Sequence, residues 1–465
     1  MMGAVSVRPR RAVVLGGGLA GMLSAAALAE SVDEVTVVER DRLPEGPQER
    51  RGTPQARHFH ALMCGGAAAI EDLVPGTLKR LRAEGAHRVG MPSQFVSFSP
   101  QGWFRRFDCN LFLVACSRPL LDFVVRDQVL SSWPIRMLDG REAVGLRGDA
   151  RRVTAVEVRD VAGGGSQVLG ADLVVDAMGR GSRTDRWLVE LGLPVVREEV
   201  VDSGLQYATR LFQAPPGACE GFPVVTVQAS PHGVSPGQAG GVIPIERGRW
   251  LVTLSGTRGA AAPTREEDFK AFARNLRHPV VGELLTYATP LGPVMTTRST
   301  TNRRRRYERV RPWPEGLAVM GDALAAFNPV YGHGMSVAAQ TAVALRESVR
   351  RGVSGPRLQR VLARVTDGAW RMATTEDLQY ASDQPQNLAT RLRRRYVERT
   401  IRTATSRPEV AKAFFGAFTL AAPFRRLLSP RVVLGVLRGP GEPPLLGPPL
   451  TSAEWSAVTS KDTPG

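Results

Sequence analysis

Lysine is nearly missing from this chain. Only Lys79, Lys270, Lys412 and Lys461 stand among 61 basic residues, and the rest are arginine. Set against 44 acidic residues, they leave a net charge of +17. Such an excess can signal a nucleic-acid or membrane partner. So lopsided a choice of arginine is more simply a compositional bias, and no nucleic-acid partner is expected. The runs Arg303-Arg304-Arg305-Arg306 and Arg391-Leu392-Arg393-Arg394-Arg395 read as solvated faces. An acidic carrier docking on the first of them is the sharper alternative.

Cysteine and histidine are also scarce. Cys64, Cys109, Cys116 and Cys219 show no C-x-x-C spacing, and six histidines are scattered. That pattern excludes a disulfide framework or structural zinc and fits a reducing cytoplasm, with no metal expected. No apolar run reaches the roughly 20 residues needed to span a bilayer. The best stretch, Ala413 to Leu428, contains Pro423, Arg425 and Arg426, so no transmembrane segment is expected. The start, Arg8-Pro9-Arg10-Arg11 before an apolar run, mimics a secretory signal. Three glycines interrupt that run and suit a strand-to-helix turn instead.

The chain is long enough, at 465 residues, for two or three compact units. Ala12 to Leu15 reads as a buried strand, Leu19 to Glu30 as a helix and Glu34 to Glu39 as a second strand. Ala171 to Asp176 and Leu317 to Met320 are further buried strands, the latter feeding a helix from about Ser336 to Arg350. From about 200 to 295 the texture changes to alternating strands separated by Gly/Pro turns. Residues beyond 355 are mostly helical, and the tail from Gly439 to Gly465 is expected along the surface or disordered.

The first motif is G-x-G-x-x-G at Gly16, Gly18 and Gly21. The glycines allow a tight turn, close approach of backbone to a pyrophosphate, and close helix–strand packing. The phosphates would sit at a helix N-terminus, where free N–H groups and the dipole favour anions. Glu39, with Arg40 beside it, ends the second strand. Its carboxylate can accept ribose hydroxyls and would repel a 2′-phosphate, which selects FAD or NAD over NADP. Arg51 is a candidate flavin or pyrophosphate contact.

The second motif separates FAD from NAD. Gly321-Asp322-Ala323 ends a strand, and Asn328-Pro329-Val330-Tyr331-Gly332-His333-Gly334-Met335 leads into a helix. Asp322 can hold ribityl hydroxyls, while the loop around Pro329, Gly332, Gly334 and Met335 can donate backbone N–H groups to the flavin. His333 would steer protons there, or act only as a structural hydrogen-bonder.

The pairing of the two motifs resembles the FAD-dependent monooxygenases of the aromatic-hydroxylase, glutathione-reductase-like fold. Softer segments narrow the resemblance: Arg51 to Leu62, Val201-Asp202-Ser203-Gly204, Tyr207-Ala208-Thr209-Arg210, and Ile243 to Glu246 with Gly248-Arg249-Trp250. Together these look like the actinobacterial flavin epoxidases of polyether-ionophore biosynthesis, the lasalocid and monensin type.

The resemblance implies an α/β fold: a Rossmann-like FAD-binding domain, an inserted, mostly antiparallel β-sheet substrate domain, and a helical C-terminal region. The FAD-binding parts would be 8–100, 117–200 and 296–355. The substrate domain would take 101–116 and 201–295, with C-terminal helices over 356–438 and a tail over 439–465. Arg118 would reach the FAD phosphates. The implied activity is epoxidation of alkenes in a polyene polyketide, free or carrier-bound, with O₂ as co-substrate and a flavin C4a-hydroperoxide as oxidant. Trp103, Phe104, Phe107 and Phe112 would line an apolar substrate cavity or simply pack the core.

Met178 departs from the family pattern at a position where an aspartate supports NADPH use. Electrons would then come from NAD(P)H, through a separate flavin reductase if direct reduction fails. Hydroxylation of an aromatic or polycyclic product, reduction of a prenyl chain, and a basic docking protein with structural FAD are the alternatives. Halogenation ranks lower, since the chain has no Trp-x-Trp motif and few lysines.

Overall fold

The apolar runs pair in parallel at the centre of the computed structural model, which describes residues 10–230, 237–257, 260–381 and 388–460. The basic residues before Arg10 and the end of the tail, with Lys461, lie outside them. Five strands make the central sheet: β1 (Arg11–Leu15), β2 (Glu34–Glu39), β3 (Ile135–Asp139), β4 (Leu173–Asp176) and β5 (Leu317–Val319). Their order is β5-β4-β1-β2-β3, all parallel. Val14, Leu15, Val37, Val174 and Val175 are fully buried, as expected of strands covered on both faces. Burying one such side chain contributes roughly 1.5–3 kcal/mol. Helix α1 (Leu19–Ala29), helix α2 (Arg118–Ser132) and helix α3 (Gly334–Arg350) pack together over one side, α1 touching both of the others. The long helix α4 (Gly355–Ala381) runs alongside α3 and β5.

The second large element is an eight-stranded, mostly antiparallel sheet. Its strands include Gln206–Gln213, Arg249–Gly256, Ala239–Ile245 and Val224–Val227. Phe95–Ser99, which sequence reasoning assigned to the FAD-binding part, joins this sheet by pairing in parallel with Val224–Val227. Phe112–Ala115, assigned to the substrate sheet, pairs instead with Ala61–Met63 and His87–Gly90. The fold is thus a parallel α/β core with antiparallel sheets and C-terminal helices.

Two expectations need correction. The Arg303–Arg306 run is not a solvated face. Asn302–Arg305 forms a strand antiparallel to Glu198–Val201, with Glu198 opposite Arg305 and Glu199 opposite Arg304. Arg304 is only 2% exposed and pairs with Asp367 at 2.8 Å. Arg305 reaches Glu198 at 3.2 Å, and Arg306 pairs with Glu199. Charges paired this way are less open to an acidic carrier than a solvated run would be. The tail is also structured: Ser452–Thr459 forms a helix started by a Thr451/Glu454 capping box. Val458 and Trp455 pack into the core of the large sheet, and Arg106 clamps Glu454 at 2.7 and 2.8 Å.

Candidate functional site

Three turns meet at the carboxyl ends of β1, β4 and β5, where ligands bind in open α/β sheets. After β1, Gly16 turns with φ +99°, and a Cβ there would lie 2.7 Å from the Ala177 carbonyl oxygen of the β4 turn. Gly21 lies so close to that turn that its Cβ would fall 1.7 Å from the Gly16 carbonyl oxygen. After β5, a Cβ on Gly321 would sit 2.9 Å from that of Ala20, so the Asp322 turn abuts the start of α1. The Asp322 side chain lies between Gly179 and Gly334: its Cβ is 3.9 Å from where the Gly179 Cβ would be, and its Oδ1 is 3.8 Å from where the Gly334 Cβ would be.

Glu39 reaches the glycine turn from the end of β2. It is buried, accepts from the Gly17 amide at 2.6 Å and from the Asp41 amide at 2.9 Å. Its cationic partner is Arg50, at 3.0 Å, which also contacts the Gly17 carbonyl at 3.5 Å. Arg51, the sequence candidate, is exposed, and so is Arg40. The arginine brought to the turn is one residue earlier than expected. Arg118 starts α2 behind a Ser117 cap, is held by Asp122 at 2.7 Å, and lies in the field of Asp322.

Burial raises the Asp322 carboxyl, opposed by Arg180, Arg118 and Arg303. Arg180, which sequence reasoning passed over, stands 3.9 Å from Asp322. It is fixed by hydrogen bonds of 2.9 Å to the carbonyls of Thr301 and Phe327. Asp176, at the end of β4, is spent on its own turn: it accepts from the Met178 amide at 2.9 Å and from Ser182.

The loop from Asn328 to Met335 is anchored from below. Asn328 accepts from the Tyr207 hydroxyl at 3.0 Å and donates to Asp377 at 2.9 Å. Asn302 and Tyr331 donate to the same carboxylate at 2.5 and 2.7 Å. Asp377, buried on α4, is the hub, and sequence reasoning missed it. Gly332 turns with φ +66° against Met63, and the Met63 amide donates to Ser336 at 3.2 Å. Pro329 opens the short 3-10 turn of this loop, and Met335 is buried in the first turn of α3.

His333 belongs to this loop, and the His58 ring stands 6.2 Å from the ring of Tyr207, the tyrosine that holds Asn328. His333 is fully buried and donates from Nε2 to the Phe418 carbonyl at 2.9 Å, leaving Nδ1 without a partner among the described residues. Burial pushes it down to about 4. His58 bonds Thr209 at 2.8 Å and is pushed down to about 4 by burial and by Arg57. His60 donates to the His58 carbonyl at 2.6 Å and falls to about 3 through burial and Arg118.

His333 carries a stability consequence. Above pH 6.5 the ring is neutral whether the chain is folded or not. Between 6.5 and about 4 the unfolded chain takes up a proton that the folded ring refuses, so stability falls as pH falls through that window. The loss is about 2 kcal/mol by pH ~5. Denaturant titrations at neutral and acid pH should show a shallower pH slope for His333→Gln; an equal slope would acquit His333.

Of the two readings of the aromatic set, core packing is the one its contacts favour. Trp103 stacks on Phe98 at 4.7 Å, and Phe104 packs on Phe414 and Phe415 at 5.8 and 5.0 Å. Phe112 lies under the Arg88 guanidinium at 4.2 Å. Phe107 packs against the same cluster as Phe104. Trp103 and Phe104 are buried, and Phe107 and Phe112 are half-buried against the core.

The donor set suits FAD. Neither α1 nor α3 has a side-chain cap or an acid in its first turn, so each leaves its first N–H groups for a ligand. Both begin at the same strand ends, one beside a glycine cradle and the other beside Asp322. Two uncapped helix starts flanking one carboxylate suit a flavin dinucleotide. The chain belongs to the FAD binding domain family, which matches residues 10–373. It is 31% identical over 396 residues to Protein Rv3254 of Mycobacterium tuberculosis, covering 82% of each chain. It is 30% identical over 364 residues to kynurenine 3-monooxygenase of Salinispora tropica, covering 73% of this chain and 72% of that one. The solved structure of p-nitrophenol 4-monooxygenase PnpA from Pseudomonas putida has the same fold (TM-score 0.59, 17% identity, 91% of this chain and 100% of the other). These relationships place the chain among flavin-dependent monooxygenase-like enzymes.

Proposed function

We propose that the protein is an FAD-dependent monooxygenase that epoxidises alkenes of an apolar polyene polyketide. What supports this reading is the resemblance of Arg51 to Leu62, Val201 to Gly204 and Tyr207 to Arg210 to flavin epoxidases, together with His58, His60 and His333, which burial weakens as bases. Oxygen transfer to a C=C bond removes no proton from the substrate, so it needs no protein base. Activation of a phenol is helped by one. Bound FAD, once reduced, supplies the oxygen-activating chemistry.

The chain binds and orients. Gly16, Gly18 and Gly21 with the start of α1 would hold the pyrophosphate, assisted by Arg118, and Glu39 would take the adenosine ribose. Asp322, with Arg180 standing 3.9 Å away, would hold the ribityl hydroxyls. The backbone of Gly332 to Met335, at the start of α3, would face the flavin edge. Met178 fits a cofactor that receives its electrons through a separate flavin reductase.

Aromatic hydroxylation is the second reading, favoured by the kinship with a kynurenine 3-monooxygenase. Turnover of a polyene under isotope-labelled O₂, with NADH and a separate flavin reductase, tests the first. The expected product gains one labelled oxygen and loses one C=C bond. Added hydrogen instead, or oxygen delivered only to aromatic substrates, overturns it. Rapid NADPH oxidation without any reductase would overturn the reductase requirement.

A further inference from the structure

The positive charge of this chain is not spread evenly. Residues 388–440 hold twelve of the 61 basic residues and two of the 44 acidic ones, so this short region carries ten of the seventeen net charges. A general arginine bias would not concentrate them so.

The region is also where apolar side chains stand in solvent. Leu388, Leu392, Leu428, Leu434 and Leu437 are 64%, 56%, 66%, 48% and 63% exposed. They lie on three pieces packed together: Leu388–Ala404, Phe424–Leu428 and Pro430–Arg438. Tyr396 donates to the Leu427 carbonyl at 2.6 Å, and Arg399 donates to the carbonyls of Val436 and Leu437 at 2.8 and 2.6 Å. In the last helix Val432, Gly435 and Val436 face inward, and a Cβ on Gly435 would meet Val410 at 2.7 Å. That orientation turns Leu434 and Leu437 outward, with Arg431 and Arg438 a turn to either side. Arg391, Arg395, Arg425, Arg426, Arg431 and Arg438 are exposed and have no carboxylate partner among the described residues.

We propose that this C-terminal face docks on an anionic lipid surface. Leucines set singly between guanidinium groups match a soft partner. There the apolar tips enter the acyl boundary while the arginines stay at the headgroups. A polyanion such as nucleic acid would satisfy the arginines and leave the leucines in water. No helix among the described residues is long and apolar enough to cross a membrane, so the contact is peripheral. The inference stands apart from the identity of the substrate.

Co-sedimentation of the FAD-loaded full chain with vesicles tests it. Vesicles of phosphatidylcholine containing phosphatidylglycerol should bind the protein, and pure phosphatidylcholine should bind it far less. Replacing Leu428, Leu434 and Leu437 with serine should weaken binding roughly tenfold or more, with FAD content and melting temperature unchanged. Replacing Arg425, Arg426, Arg431 and Arg438 with glutamine should remove the preference for phosphatidylglycerol. Equal binding to both vesicle types at low salt overturns the proposal. So does full retention of binding by the leucine variant, which would mean that the face reads charge alone, as an acidic protein would require.

Discussion

Gly21→Ala should give a chain that no longer retains FAD. The added methyl would lie 1.7 Å from the Gly16 carbonyl oxygen, and neither side can yield. Gly16 is tied by its amide to the Val38 carbonyl at 2.7 Å, and its other face is pressed on the Ala177 carbonyl. Overpacking costs about 1–3 kcal/mol where side chains can give way; here the obstacle is backbone, so the start of α1 must move. FAD per chain after gel filtration should fall at least roughly tenfold, and the melting temperature should drop by several degrees. Gly18→Ala is the control. Its methyl would meet only the Arg50 guanidinium, at 3.4 Å, so the apo-protein should melt nearly as before while FAD binding weakens. Stoichiometric FAD in the Gly21 variant would contradict the packing described.

Asp377→Ala should be the most damaging single change outside the glycine turn. It strips the acceptor from Asn302 and Asn328, both buried, and from the half-buried Tyr331. A buried donor left unpaired costs about 1–3 kcal/mol, so a loss of about 3 kcal/mol or more is expected in denaturant unfolding. Asp377→Asn keeps the shape but offers an amide to a ring of donors. That variant should fold and bind FAD roughly tenfold more weakly, because Asn328 heads the loop that leads through Gly332 to α3. Unchanged FAD affinity in the Asn variant would mean that the loop holds its form without this anchor.

Much of the cofactor side was legible because it is local. A glycine turn between a buried strand and an alanine-rich helix, and an acid one strand later, are contiguous patterns whose physics needs no distant partner. The Gly321-Asp322 turn is of the same kind. What stayed hidden depends on chain segments far apart in sequence. Asp377 looks like any acid on an amphipathic helix until Asn328, 49 residues earlier, is folded against it. The Arg303–Arg306 run looks solvated until Glu198 and Glu199 pair across from it. Arg50 and Arg51 are adjacent, and only the exit path of the chain after β2 decides which one turns inward. The helix Ser452–Thr459 was within reach: Thr451 and Glu454 have the spacing of a capping box, overshadowed by the proline-rich stretch before them. The aromatic set Trp103 to Phe112 left two readings open because composition does not distinguish a lined cavity from a filled one.

The clasp formed by Arg106, Glu454, Trp455 and Val458 also sets an order on synthesis. The large sheet uses strands between residues 95 and 297, yet part of its apolar face is covered by a helix that ends at Thr459. A ribosome therefore releases every strand of that sheet long before it releases the piece that covers them. During that interval the nascent sheet presents an open apolar flank. A chain stopped short of Ser452 would keep that flank for good, which marks truncated products for chaperones and proteases rather than for cofactor loading.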